Sequence, residues 1–498
     1  MKRAVLTAFA LALLACDSGS PDDDVEVPKL TLEELQNPES CKDCHPKHYE
    51  QWSGSMHAYA GVDPVFLAMN KRGQEETNGQ LGAFCVNCHA PMAVQPPNMV
   101  TDFANVEALP SHMKGVTCYF CHNAIGVGDK HVNGDVKLAM DDVMRANVRN
   151  AVEPTAHKVA SSAFHDATTD ESSRLCGTCH DIETPKGVRL ERTYEEYLGS
   201  LFGSSDNPAF FKACNDCHMP RMRGGRQQIA AKTGRTNGQV LARDFHEHLW
   251  PAVDIALTDF PHADAMRSAV SACVLPNVMS AYITIDREEG PLGQLNILME
   301  QDAGHNFPSG ATQDRRVWLE LIARDENLNE LYRIGQVADQ QLEETEENPH
   351  PCILREYIVD ENGKETHDFW EAATIKDSKL MPVAPKGVDP TMVRHTYMKC
   401  TNIRPPLAFA EIAPAYIDMR LRMRPMGMDV LTDLVSTGHL SAEFLPKMPT
   451  FTVFSRRATF DPVTRSYRVS PQNDDPTLGD CNTYLCMLDP NGPECQKP

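Results

Sequence analysis

Three shortages narrow the function of this chain before any motif is read. Basic charge is scarce: 47 Lys and Arg against 69 Asp and Glu leave a formal net charge of −22. No basic stripe exists to neutralise a phosphate backbone, which argues against DNA or RNA as a partner. Long apolar runs are missing too, since no stretch after Leu14 approaches the roughly 18 apolar residues of a membrane-spanning helix. Internal repetition is absent apart from one five-residue motif. What remains is globular in composition: 41% hydrophobic and 23% charged residues exclude wholesale disorder. A length of 498 residues implies about two to four domains.

The start of the chain reads as an export signal. Lys2 and Arg3 form a positive n-region, and Ala4 to Leu14 is apolar apart from Thr7, too short to span a bilayer. Leu13-Leu14-Ala15-Cys16 resembles the lipobox of bacterial lipoproteins, in which the signal is cut before the cysteine and that cysteine carries the lipid. Residues 1–15 are then the signal peptide. Residues 16–38 form a lipidated acidic tether, with Ser18 to Pro28 poor in apolar residues. Loss of Lys2 and Arg3 would move the net charge from −22 to −24. The expected product is an exported lipoprotein of the cell envelope, in the periplasm or at the outer membrane or cell surface, held to a membrane through Cys16.

Cysteine and histidine are abundant, at 17 and 19 residues. Five times they fall into Cys-x-x-Cys-His, where composition alone predicts about 0.02 matches. The motifs are Cys41/Cys44/His45, Cys85/Cys88/His89, Cys118/Cys121/His122, Cys176/Cys179/His180 and Cys214/Cys217/His218. Two thiols three positions apart suit thioether bonds to one haem edge, and the adjacent histidine suits ligation of the iron from the proximal side. Zinc sites would need the pairs to combine into fours, stranding one. A thioredoxin-like redox pair leaves the recurrent histidine without a purpose. The motifs therefore predict five covalently bound haem c groups. Six further cysteines remain besides Cys16: Cys273, Cys352, Cys400, Cys481, Cys486 and Cys495. In an oxidising compartment they fit three disulfides of open connectivity, with at least one expected in the tail.

Several stretches carry a family resemblance, running from about Ser40 to Gly310. They are Cys41-Lys-Asp-Cys-His-Pro46 continuing to Trp52-Ser-Gly-Ser-Met-His57, Gly115-Val-Thr-Cys-Tyr-Phe-Cys-His122 and Cys176-Gly-Thr-Cys-His-Asp181. Cys217-His-Met-Pro220 and Gly304-His-Asn-Phe-Pro-Ser-Gly310 complete the set. They are similar to the multihaem cytochromes c related to hydroxylamine oxidoreductase and to the tetrahaem cytochrome that receives its electrons. The resemblance implies His57 as a distal iron ligand, and a helix from about Lys47 would place that residue some three turns beyond His45. His157 and His165 match ligand positions ahead of the fourth motif, with His157 favoured. His246 and His248 would share one face of a strand, and the resemblance favours His248. His305 lies in a Gly/Pro loop that resembles the ligand loop of the family. His48, His112 and His131 have no such support.

Motif density, about one per 35–45 residues, leaves little room for a protein core, so the cofactors themselves should form it. Helix starts are legible as capping boxes at Thr31 to Glu34 and Thr193 to Glu196, and as an N-cap with proline at Asp63-Pro64. The fold class expected is a mostly α and irregular multihaem domain over 39–272, an all-β antiparallel sandwich-like domain over 273–470, and a cysteine-containing tail over 471–498. Strands are expected at Tyr282–Ile285, Leu295–Met299, Val317–Ile322 and Phe451–Phe454. The function expected is electron transfer between envelope redox partners, basic ones being favoured by the charge. The alternative is an oxidoreductase acting on a small nitrogen or sulfur compound at one five-coordinate haem. Against it, no Cys-x-x-Cys-Lys occurs, the attachment of the catalytic haem in pentahaem nitrite reductases.

Overall fold

Short helices separated by capped breaks build the first half of the chain. The computed structural model describes residues 29–97, 99–148, 156–228, 242–286, 294–345, 352–386, 398–403 and 413–470. Thr31 and Glu34 form the expected reciprocal capping box on Leu32–Gln36. Asp63 caps Pro64–Glu76, the longest helix of this half, with Pro64 at its first turn. The helix expected from Lys47 to His57 is broken instead. Pro46–Ser53 stops at Gly54, and the Ser55 side chain caps a fresh turn, Met56–Tyr59.

The capping box expected at Thr193 to Glu196 does not form. Thr193–Leu198 is helical, but Arg192 occupies the N-cap and supplies no side-chain bond. Both polar side chains are committed elsewhere. The hydroxyls of Thr193 and Ser309 lie 2.8 Å apart, while Glu196 accepts from Ser309 Oγ at 2.7 Å and from the Asn306 amide at 3.2 Å. A distant loop has won the groups that local sequence assigned to the helix end.

The second half is antiparallel sheet. Six strands form one sheet in the order Glu330–Ile334, Arg316–Arg324, Tyr416–Arg424, Phe451–Asp461, Ser466–Val469, with Ile353–Leu354 pairing Arg316–Arg324 off that path. Three more strands, Met398–Ile403, Gln294–Gln301 and Met279–Asp286, form a second sheet. All four expected runs lie in these strands. The period of two explains the packing: Val317, Leu319, Leu321 and Ala323 share one apolar core with Ile417, Met419, Leu421 and Met423, and with Ile283, Ile297 and Met299 of the second sheet. Met266, Ala269 and Val270 from helical turns ahead of the sheets enter the same core.

A second contact joins the halves. The helix Met428–Ser436 packs Val430, Leu431 and Leu434 against Val65 and Ala68 of Pro64–Glu76. Each such side chain, fully buried, contributes roughly 1.5–3 kcal/mol. Arg72 rims this contact, pairing with Asp433 and, at 3.0 Å, with Asp368. Trp370 Nε1 donates to Glu76 at 3.1 Å. Cys273 and Cys352 are each disulfide-bonded. The signal segment, Cys16 and the tail cysteines lie outside the described residues. Among the described residues no helix is long and apolar enough to cross a membrane.

Candidate haem sites

Four of the five Cys-x-x-Cys-His motifs sit on a helix or close one. The second closes Val86–His89, the third is the helix Cys118–His122, the fourth ends Asp170–His180, and the fifth is Cys214–His218. A helical turn brings residues three and four apart to one side, so both thiols face one cofactor edge.

The first motif departs from this pattern at Cys44. Five identical motifs suggest five identical turns, yet Cys44 lies in no helix. It occupies an irregular turn between the 3-10 turn Pro38–Cys41 and the helix Pro46–Ser53, and His45 is the N-cap of that helix rather than the end of one. Pro46 is the physical reason: it favours the first turn of a new helix and keeps His45 out of helical backbone, at φ −123° and ψ 55°. Local winding survives, since the amides of Cys44 and His45 both donate to the Cys41 carbonyl, at 3.2 and 2.7 Å. Cys44 is half-buried, and the three-residue spacing on one turn still suits attachment beside Cys41.

Thiols of different motifs adjoin: Cys41 lies beside Cys118, Cys88 beside Cys179, and Cys176 beside Cys214. The first motif therefore meets the third, through Cys41 rather than Cys44. The second meets the fourth, and the fourth the fifth.

Four pairs of imidazoles stand at nearly one separation. Ring centroids are 6.4 Å apart for His45 and His157, 6.3 Å for His57 and His180, 6.4 Å for His122 and His248, and 6.4 Å for His218 and His305. Iron held between two imidazole nitrogens at about 2 Å each, with each ring centroid about 1 Å further back, needs roughly 6 Å. The residues present fit a haem at each of these four places. The other ring nitrogen is also committed. Nδ1 lies against a backbone carbonyl in His122 (Arg145, 2.6 Å), His157 (Lys158, 3.0 Å), His248 (His246, 2.9 Å), His218 (Pro251, 3.4 Å) and His305 (Asn306, 2.9 Å). Donation to those carbonyls fixes the tautomer that leaves Nε2 available to a metal.

His89 is different. Its Nδ1 is 3.1 Å from the Ala60 carbonyl, but the ring facing it is Phe66, stacked at 4.1 Å and 2°. Among the described residues His89 belongs to no imidazole pair of the kind above. Phe66 was not singled out in the sequence. Its position two residues after Pro64 marks only a helix start, and nothing local signals that its ring turns towards the second motif.

Two further histidines pack more tightly. His165 stacks on His122 at 4.8 Å, and His48 lies 4.8 Å from His248 and 5.7 Å from His45, shorter than the four pairs. His246 and His248 do not share a strand face: the strand Ala242–His246 ends at the first of them, whose Nδ1 lies 2.9 Å from the Met219 carbonyl. Departure from the strand lets His248 turn towards His122.

Backbone joins the ligand-bearing segments at Gly115, whose φ is +75°. A Cβ there would lie 2.5 Å from the His57 carbonyl. The Gly115 amide donates to His89 O at 3.0 Å and the Val116 amide to His57 O at 2.8 Å. Only glycine allows this positive φ and this approach together. Trp52 Nε1 adds a 2.8 Å bond to the Val116 carbonyl.

Burial holds these rings neutral. It lowers His57 and His248 to about 3 and His45, His180 and His218 to about 4. A neutral imidazole is the form that ligates a metal. The sign for stability follows. The unfolded chain protonates first, near 6.5, so stability present above that pH is lost as pH falls towards about 4. The denaturation midpoint of the intact protein should therefore drop steeply between pH 6.5 and 4 and change little from pH 7 to 8. A flat midpoint down to pH 4 would contradict this.

Residues 40–123 match the family described as cytochrome c554 and c-prime. None of the curated proteins matches the chain. The structure is similar to a penta-heme cytochrome c552 from Thermochromatium tepidum, with 18% sequence identity and a TM-score of 0.55 over 86% of this chain and 100% of that one. The chain shares its overall fold with that penta-heme cytochrome.

Proposed function

We propose that the protein is a lipid-anchored pentahaem c-type cytochrome that carries electrons between redox partners in the bacterial cell envelope. The carrying observation is the set of four imidazole pairs at 6.3–6.4 Å. Each bound haem supplies a one-electron iron couple. The chain supplies the rest. Ten motif cysteines hold the groups, Cys44 from its irregular turn and the others from helices or helix ends. His45, His122, His180 and His218 would each hold an iron together with His157, His248, His57 and His305 respectively. Sites held in this way favour electron exchange over substrate binding. The adjoining thiols order the sites as first to third, second to fourth, and fourth to fifth. A formal net charge of −22 supports a basic partner, met in an encounter that salt weakens. The link to hydroxylamine oxidoreductase rests on the sequence stretches alone.

His89, which faces no second imidazole among the described residues, supports a second reading, in which the second haem keeps one side open and acts on a small nitrogen or sulfur compound. One titration separates the two. Under the first reading a small redox dye reduces all five haems, cyanide perturbs at most one, and nitrite or hydroxylamine is not turned over. Steady consumption of either compound by the reduced protein would replace the carrier with the enzyme.

A further inference from the structure

The strongest charge anomaly lies far from the haem motifs in sequence. On the six-stranded sheet, side chains alternate between the shared core and the opposite face. Ile417, Met419, Leu321 and Ala323 are core, so Asp418, Arg420, Glu320 and Arg324 point away from it. A cleft of about 650 Å³ opens there, and Arg324, Arg420, Arg456, Arg457 and Arg468 line it with Glu320 and Asp418. Five arginines against two carboxylates leave a formal +3, in a chain whose total is −22. Asp418 already takes two guanidiniums, Arg457 at 2.6 Å and Arg324 at 2.7 Å. Arg420 and Arg468 are exposed at the mouth. Among the described residues no lysine lines the cleft.

We propose that this cleft binds a multivalent phosphate-bearing anion, free or as a lipid head group. The chemistry favours that class for three reasons. Clustered positive charge on an acidic protein costs self-repulsion that a bound anion relieves. Guanidinium forks pair bidentately with oxyanions, and a phosphate offers enough oxygens to engage forks from neighbouring strands. The volume matches a small-ligand site, whereas a flat docking face would leave no concavity. The site is independent of the haem reading.

The test uses the intact holoprotein and the double variant Arg420→Glu/Arg468→Glu, two exposed positions whose change leaves the Asp418 pairs in place. Calorimetric titration with inorganic pyrophosphate should give saturable binding that salt weakens, and the variant should bind about tenfold more weakly or worse. In a second arm, phosphatidylglycerol vesicles are compared with phosphatidylcholine vesicles, so that the lipid anchor cancels. A preference for the anionic vesicles that the variant loses, without pyrophosphate binding, assigns the head group as the ligand. No binding in either arm, or binding equal in the variant, overturns the proposal. Haem spectra of the variant should match the parent, which excludes misfolding as the cause of any loss.

Discussion

Replacing His305 by alanine is expected to convert one of the four low-spin haems to high spin, with added imidazole restoring it. The ring stands 6.4 Å from His218, and the loop that carries it is held by groups other than the ring. Glu196 accepts from the Asn306 amide and Ser309 Oγ. Arg315 donates to the Ser309 carbonyl at 2.8 Å and grips Asp254 through both terminal nitrogens. Gln301 donates to the His305 carbonyl at 3.0 Å. Removal of the imidazole thus leaves a cavity in a standing loop, the condition for rescue by the free ligand. The Arg72 pairs and the contact of Leu431 with Val65 join the two halves independently of His305, so the stability loss should be modest. An unchanged low-spin signal, read by electron paramagnetic resonance, would reduce His305 to a turn residue.

The largest loss of stability is expected from Arg424→Ala, about 3–5 kcal/mol. Arg424 and Glu343 pair with side chains each only 1% exposed. The guanidinium also donates to Gln341 O at 3.0 Å and Thr450 Oγ1 at 3.1–3.2 Å, and lies 5.4 Å from the Trp318 ring centre. Truncation leaves the Glu343 carboxylate buried beside Asp429 without its cation, which is worse than never having buried the pair. Glu343 also accepts from the Met428 amide at 3.2 Å, so its disturbance reaches the helix that packs on Pro64–Glu76. Replacing both partners by apolar residues, Arg424→Met with Glu343→Leu, should recover most of the loss in chemical denaturation. A double-variant loss equal to the sum of the Arg424→Met and Glu343→Leu losses would mean that the pair is not coupled.

The five motifs were legible because their cysteines and histidine fall within five residues of one another. The motif does not dictate the backbone around it, however: Pro46 starts a new helix and leaves Cys44 in a turn. The β strands were legible because their apolar residues recur every second position over a buried face. Distal positions lie far from their partners in sequence, 123 positions for His57 and His180, and only resemblance pointed to them. The larger failures have one cause. Thr193 and Glu196 carry a good helix-start signal, yet the Ser309 loop offers better partners. Arg424 sits in an alternating run with Arg420 and Arg422 that reads as solvent-facing, yet Glu343 and Thr450 cover it. Phe66 looks like any apolar helix residue, and only the fold shows it stacked on His89. Long-range partners decided each case, and no local pattern encodes them.

The most direct test of four doubly ligated irons and one singly ligated iron is a spin count on the oxidised wild-type protein by low-temperature magnetic circular dichroism. The account predicts four low-spin bis-histidine signals and one high-spin signal, the latter alone shifting with cyanide. Five low-spin signals would give the second motif a partner imidazole that none of the described residues supplies, and two or more high-spin signals would break the imidazole pairs on which the function rests.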